Sequence, residues 1–257
     1  MSDALNFSLP SVRNMFVPDP GYTLFDIDLA GADAQVVAWE ANDKKLKQAF
    51  RDFAAGIGPK IHAVNALDIY GPELAGIKGK NEPFYTYAKM GVHLTNYGGK
   101  ARTCATALAI TVSQAERFQD LWFRNHPEIR DWHERVEHEL HTTRSVRNAF
   151  GFRKFYFDRI EGLLPQALAW VPQSTVAITV NKAWENISNN IPEVEIMLQV
   201  HDSLVGQYPT NKEALLLPEI HAQSKIIIPY DDPLIIPFGI KTSQKSWGEC
   251  QDRSWTV

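Results

Sequence analysis

Two short apolar segments, each closed by an aspartate, constrain this chain more than any other feature. They are Leu24-Phe25-Asp26-Ile27-Asp28-Leu29 near the start and Met197-Leu198-Gln199-Val200-His201-Asp202 near the end. Runs of this length and composition read as strands. A carboxylate at the tip of a buried strand is placed to hold a divalent metal within reach of a polyphosphate. Either segment alone is also what a turn or cap aspartate looks like. Between them, Lys89-Met90-Gly91-Val92-His93-Leu94-Thr95-Asn96-Tyr97-Gly98-Gly99 supplies a phosphate-seeking cation and a stacking aromatic.

The pattern around these segments predicts an α+β fold. Residues 24–29 form a strand, and Ala32, Val36, Val37 and Trp39 follow at helical spacing, so the first aspartate sits at a strand-to-helix passage. Gly71, Pro72, Gly76, Gly79 and Pro83 mark an irregular connection. Ser113 and Glu116 have the spacing of a capping box, which predicts a helix over 113–125. Pro127 suits the first turn of the next helix, where Ile129, Trp132, His133, Val136 and Leu140 share a face. Residues 144–157 are extended and aromatic, and a turn at Gly151 predicts a hairpin returning to the sheet. A helical stretch covers 166–187, with Pro172 as a kink. Val194, Ile196, Leu198 and Val200 alternate as in a strand with one buried face, and a tight hairpin then puts Asp202 at its tip before a strand at 204–208.

Bulk properties exclude several classes. With 257 residues and 44% hydrophobic content the chain can bury a substantial core. A formal charge of −4 and a pI near 6.1 argue against coating nucleic acid by bulk electrostatics. Lys78, Lys80, Lys89, Lys100 and Arg102 form a basic stretch, which is either a solvated face or a phosphate-binding surface. Cys104 and Cys250 are too few for a disulfide framework or zinc site, and no apolar run approaches the ~18 residues of a membrane span. A cytosolic location and no membrane partner are expected.

In their order, the three segments resemble motifs A, B and C of the family A DNA polymerases, the bacterial DNA polymerase I type, in a divergent form similar to phage enzymes. The likeness runs from about Asn6 to about Glu249 and includes Lys60-Ile61-His62, Phe150-Gly151-Phe152-Arg153, Pro172-Gln173-Ser174-Thr175 and the 240–247 stretch. It implies an antiparallel-sheet palm with an inserted helical fingers subdomain: 1–40 as the first part of the palm, 41–145 as fingers and 146–257 as the second part of the palm. The family's thumb and exonuclease domain are expected outside this stretch, a second chain being one source of the thumb. For a phage-encoded enzyme the cytosol would be that of the host.

The resemblance implies DNA-directed DNA polymerisation with Mg²⁺, deoxynucleoside triphosphates and primer-template DNA as partners. Asp28 and Asp202 match the metal carboxylates, and the Leu29 carbonyl can add a ligand. Asp26 lies on the same strand face as Asp28 and is either a third acid or a structural residue. Lys89 matches the triphosphate lysine, and His93 and Tyr97 follow at i+4 and i+8 on one helical face. Gly91, Gly98 and Gly99 are poor helix formers and suit a helix that bends. His62 matches a phosphate-contacting histidine. Asp33, standing where the family has glutamate, matches the side chain that excludes a ribose 2′ hydroxyl. Arg153 would meet template phosphate, Gln173 the minor groove, and His201 the metal aspartate or primer end. The arginine usual four positions before the motif B lysine is Tyr85 here, so one triphosphate contact is either missing or supplied from elsewhere, Lys78 or Lys80 being the candidates. Two rival readings use the same residues: a non-catalytic remnant that binds primer-template or a partner, and a metal-dependent phosphodiesterase.

Overall fold

The computed structural model describes residues 11–71 and 82–255. The expected connection around 72–81, with Lys78 and Lys80, lies outside the described residues. In chain order the strands are β1 (Tyr22–Leu29), β2 (Ser145–Arg147), β3 (Arg153–Phe155), β4 (Glu195–Val200), β5 (Ser203–Pro209), β6 (Phe238–Ser243) and β7 (Gln251–Arg253). The helices are α1 (Ala32–Glu40), α2 (Lys44–Ala54), α3 (Ile61–Tyr70), α4 (Pro83–Asn96), α5 (Ala101–Leu108), α6 (Val112–Asn125), α7 (Pro127–Thr143), α8 (Leu164–Asn190) and α9 (Glu213–Gln223). The class is α+β, as the sequence pattern predicts. The chain divides into two compact units, one of Met1–Ala30, Ala177–Ile227 and Ile235–Val257, the other of Gly31–Val176 and Ile228–Leu234.

The first unit is built on an antiparallel sheet in the order β4-β5-β1-β6-β7. Strand alternation sends Phe25, Ile27 and Leu29 of β1 to one face and Leu24, Asp26 and Asp28 to the other. Phe25 is fully buried and stacks on Tyr208 with ring centroids 6.1 Å apart. Its cross-strand partner is Gly206, where an added Cβ would stand 2.5 Å from the Phe25 ring, so the large residue on β1 requires the missing side chain on β5. Strand β4 departs from the expected buried alternation. It is an edge strand with a register irregularity between Ile196 and Leu198, and Met197 and Val200 are exposed. An edge strand has only one flanking neighbour to bury against.

The second unit is mainly helical. Helix α6 begins one residue before the expected 113, and its capping box is Thr111 with Gln114 rather than Ser113 with Glu116. The Thr111 hydroxyl accepts from the Gln114 N–H at 3.2 Å, and the Gln114 side chain accepts from the Thr111 N–H at 2.9 Å. Ser113 is already inside the first turn, where its hydroxyl cannot serve as the N-cap. Pro127 opens α7, and Ile129, Trp132, Val136 and Leu140 are buried. Strands β2 and β3 pair with each other in a separate sheet instead of returning to the main one. They are three residues long, and their turn is bolted to α8 of the same unit by the Asn148 amide, which donates to the Ser174 hydroxyl at 3.0 Å.

Helix α4 runs unbroken through Gly91, so the glycines do not act as a bend. At Gly91 the Phe118 ring of α6 occupies the space a side chain would need, 2.5 Å from an added Cβ. Gly98 has φ +71° and ends the helix: its N–H donates to Thr95 O at 3.0 Å, and the Gly99 N–H donates to Leu94 O at 2.8 Å, the Schellman arrangement.

An ionic group centred on a buried histidine joins four of these helices. His126, fully buried, links α6 to α7 and packs against Trp122 with ring centroids 4.1 Å apart and planes tilted by 39°. Its Nδ1 lies 2.6 Å from Asp43 and its Nε2 3.3 Å from Asp68, while Asp43 caps α2 by accepting from the Leu46 N–H at 2.9 Å. Burial alone would push the imidazole pKa down, but the hydrogen bonds and charges of the two carboxylates outweigh it and hold the pKa above the usual histidine value. The folded state therefore keeps this proton to higher pH than the unfolded chain. The stabilisation is complete below about pH 6.5 and is lost as pH rises through the raised folded value. Replacing His126 by Phe leaves the buried Asp43 without its charge partner, while Asp68 keeps Lys45, and is expected to cost about 3 kcal/mol at pH 6. Urea unfolding should also show a wild-type decline in stability at alkaline pH that the variant lacks.

Candidate active site

Asp28 and Asp202 come together because of register. The pair Val200↔Ser203 closes β4 and β5 around a two-residue turn, His201-Asp202, and Ser203 lies directly across from Asp28 on β1. The Leu29 N–H donates to the Asp202 carbonyl at 3.1 Å and fixes the turn against the end of β1. His201 carries the tight reversal with φ +61°, a left-handed conformation that costs a non-glycine residue about 1 kcal/mol or more.

The two carboxyl groups are within hydrogen-bonding reach of one another. Burial first, then the charges of Asp202 and Asp26, raise the Asp28 pKa to about 6, with Lys241 opposing them. Asp26, on the same strand face, is 7% exposed. Its Oδ2 accepts from the Trp247 indole N–H at 2.7 Å, and its Oδ1 is buried with no hydrogen-bond partner. Among the described residues no group of three or more His, Cys, Asp or Glu side chains is arranged to hold a metal ion. Asp26 stands behind the pair, tied to Trp247. Two crowded carboxyl groups with a third behind them form a site suited to a cation. All of its donors are hard oxygens, which suits a cation such as Mg²⁺ that takes only one or two protein carboxylates.

The remaining nucleotide candidates lie in the second unit: Asp33 on α1, His62 on α3, and Lys89 and His93 on α4, with Tyr97 as its C-cap. Lys89 and His93 are exposed on one face, and the His93 and Tyr97 rings are 4.4 Å apart. Burial, with the neighbouring Asp33 carboxylate, pushes the Tyr97 phenol far above its usual range, and its hydroxyl has no partner at full hydrogen-bond geometry. Burial, then Lys89 and His93, push His62 down to about 4, so its imidazole is neutral at pH 7. The His62 Nδ1 is buried without a partner. Burial and Lys89 also lower His93, against the opposing pull of Asp33. Burial is thus the main reason both histidines resist protonation, and the Lys89 charge adds to it.

Tyr85, in the place of the expected arginine, is a core residue. It packs edge-on against His62 at 5.5 Å and clusters with Ala63, Ala66 and Ala88. Arg153 on β3 and Gln173 on α8 are exposed in the second unit, and His201 is exposed in the first. Sequence reasoning missed Asn148 and the partner of Asp26. An asparagine before an aromatic glycine turn was the available signal for the first; nothing local signals Trp247 for the second.

The first unit is an antiparallel sheet with paired acids at adjacent strand ends, and the second is a helical unit with a lysine–histidine–tyrosine stripe. The model of DNA polymerase family A matches residues 7–245, and the chain belongs to that family. It is 26% identical over 238 residues to the thermostable DNA polymerase I of Thermus filiformis, covering 89% of this chain and 28% of that protein. To the DNA polymerase of Mycobacterium phage D29 it is 25% identical over 238 residues, covering 93% and 37%. The chain thus spans about a third of the length of these curated relatives. In fold it is similar to the POL domain of Pol1 from M. smegmatis, solved in complex with DNA primer-template and dNTP, with a TM-score of 0.79 at 20% identity over 93% of this chain and 42% of that one.

The Asp28 carboxyl keeps its proton to about pH 6 when folded and releases it near 3.8 when unfolded, so between these values the folded state binds more protons. Without divalent cation, stability should fall as pH rises through this window. Asp28→Asn should flatten that decline and raise the thermal midpoint at pH 7.5. Millimolar Mg²⁺ should raise the wild-type midpoint there and leave the variant unmoved. Differential scanning calorimetry across pH reads all three effects.

Proposed function

We propose that this chain is the catalytic palm and fingers portion of a DNA-directed DNA polymerase, extending a primer on a template from deoxynucleoside triphosphates in the cytosol. The observation that carries the reading is the meeting of Asp28 and Asp202 at adjacent strand ends in a family A chain. In this proposal residues 1–40 and 146–257 supply the palm and 41–145 the fingers. Grip on the product duplex comes from regions outside these 257 residues, a second chain being one source.

Asp28 and Asp202, with the Leu29 carbonyl, would hold Mg²⁺, which when bound supplies positive charge to the attacking 3′ oxygen and the leaving pyrophosphate. Asp28 must give up its proton to take part, and a raised pKa near 6 leaves it ionised at pH 7.5. Lys89 meets the triphosphate as a point charge. His62, neutral at that pH, donates a hydrogen bond to phosphate without adding charge. His93 and Tyr97 present aromatic surface to the nucleotide, and Asp33 stands at the sugar. Arg153, Gln173 and His201 contact primer-template.

Primer extension with Mg²⁺ tests the reading. Asp202→Ala should abolish incorporation with the fold intact, because Asp28 alone cannot hold the metal in place; near-normal extension would refute the metal pair. Lys89→Ala should raise KM for the nucleotide and lower kcat, since its charge favours both the bound triphosphate and the charge developing on the leaving group.

Competition between ribo- and deoxynucleotides tests Asp33. Asp33→Ala should shift incorporation towards ribonucleotides, and an unchanged ratio would remove Asp33 from the sugar site.

A further inference from the structure

The β2–β3 hairpin carries a set of side chains of which the polymerase reading uses only Arg153. Residues 144–159 hold five basic groups, Arg144, Arg147, Arg153, Lys154 and Arg159, against Asp158 alone, within a chain of formal charge −4. Phenylalanines are interleaved with them, and three are open to solvent: Phe152 at 60%, Phe155 at 54% and Phe157 at 90% exposure. Alternation turns Lys154 and Tyr156 inward, with Tyr156 buried, and leaves Arg153, Phe155 and Phe157 on the open side. The Arg153 guanidinium lies 5.8 Å from the centre of the Phe155 ring.

The register places Arg147 directly across from Arg153. Like charges facing each other across a two-stranded ribbon destabilise it. Glu139 of α7 lies in the field of both arginines, which leaves one positive charge in excess. The backbone beneath is held firmly. Asn148 Oδ1 accepts from the N–H groups of Phe150 at 3.1 Å and Phe152 at 3.0 Å, and its amide nitrogen donates to Ser174. The Tyr156 N–H donates to Arg144 O at 2.8 Å, and the Arg144 guanidinium donates to the carbonyls of Tyr156 and Asp158. Exposed rings and unneutralised guanidinium groups on a braced turn make a surface with stacking faces and phosphate partners side by side.

We propose that this hairpin binds single-stranded DNA, with unpaired bases stacking on Phe155 and Phe157 and phosphates meeting Arg147 and Arg153. Ring faces can stack only on bases that are not already stacked within a duplex, so a duplex would meet the arginines alone. That the strand is DNA rests on the polymerase reading, in which the unpaired template is the available single strand.

Fluorescence anisotropy with a labelled oligo-dT of about 12 nucleotides, without nucleotide or divalent cation, tests this. Phe155→Ala/Phe157→Ala should weaken binding about tenfold or more, leaving its salt dependence, the affinity for blunt duplex and the thermal midpoint unchanged. Arg147→Gln should reduce the slope of log affinity against log salt by about 0.7. If the double variant lowers the midpoint, Phe157→Leu keeps an apolar side chain without a stacking face and should still weaken binding. Oligo-dT affinity unchanged in the phenylalanine variants, or equal loss for duplex, overturns the proposal. Asp202→Ala should bind oligo-dT normally. A chain that binds through these rings but extends no primer upholds this inference and defeats the polymerase reading, and the reverse pattern does the opposite.

Discussion

Strand β1 is paired along nearly its whole length on both sides, and the first unit depends on that double registration. Pairing with β5 sets Asp28 opposite Ser203 and brings the His201-Asp202 turn against the strand end; pairing with β6 sets Asp28 opposite Gly239 and Asp26 opposite Lys241. A slip of one residue would send Asp26 and Asp28 to the face now occupied by Phe25 and Ile27. The buried phenylalanine guards against this, because its ring fits only where Gly206 leaves room. Hydrophobic packing on one face of β1 thus fixes the position of two like charges on the other.

Holding those charges together runs against their mutual repulsion, and the structure shows where it is absorbed. Asp28 retains a proton far above the usual carboxyl range, His201 takes a left-handed backbone to shorten the turn, and Asp26 keeps an oxygen without a partner while Trp247 holds the other. Each departs from local preference, and each lies within a few residues of the carboxylate pair. Such departures gather at functional sites because the surrounding sheet over-determines the geometry. In the second unit the opposite principle operates. There His126 meets the buried Asp43 and the half-buried Asp68, which Lys45 also pairs, and the result is an ionic group that joins four helices.

Much of this was legible from the residues alone. The strands of the two aspartates, the helix from Pro127, the helix carrying Pro172 and the tight hairpin bearing Asp202 follow from period and turn chemistry. Where local reading failed, a neighbour distant in sequence was responsible. Gly91 resembles a hinge until Phe118 of α6 is seen to fill its place, and Tyr85 resembles a lost arginine until it is found in the core against His62. The capping box moved to Thr111 because two candidate boxes overlap, and only backbone geometry selects between them.

The sequence by itself determined the alternation that puts Asp26 and Asp28 on one strand face, the helical spacing of Lys89, His93 and Tyr97, and the family to which these motifs belong. Those properties depend on residues a few positions apart, where the period of strand or helix leaves little freedom. Only the tertiary structure decided that Asp28 and Asp202 meet and that the Asp28 pKa is raised, that His62 is neutral beside Lys89, that Asp26 is tied to Trp247 and that Arg147 faces Arg153. Each of these depends on through-space burial and charge, which fall off over a few ångströms and have no counterpart in distance along the chain.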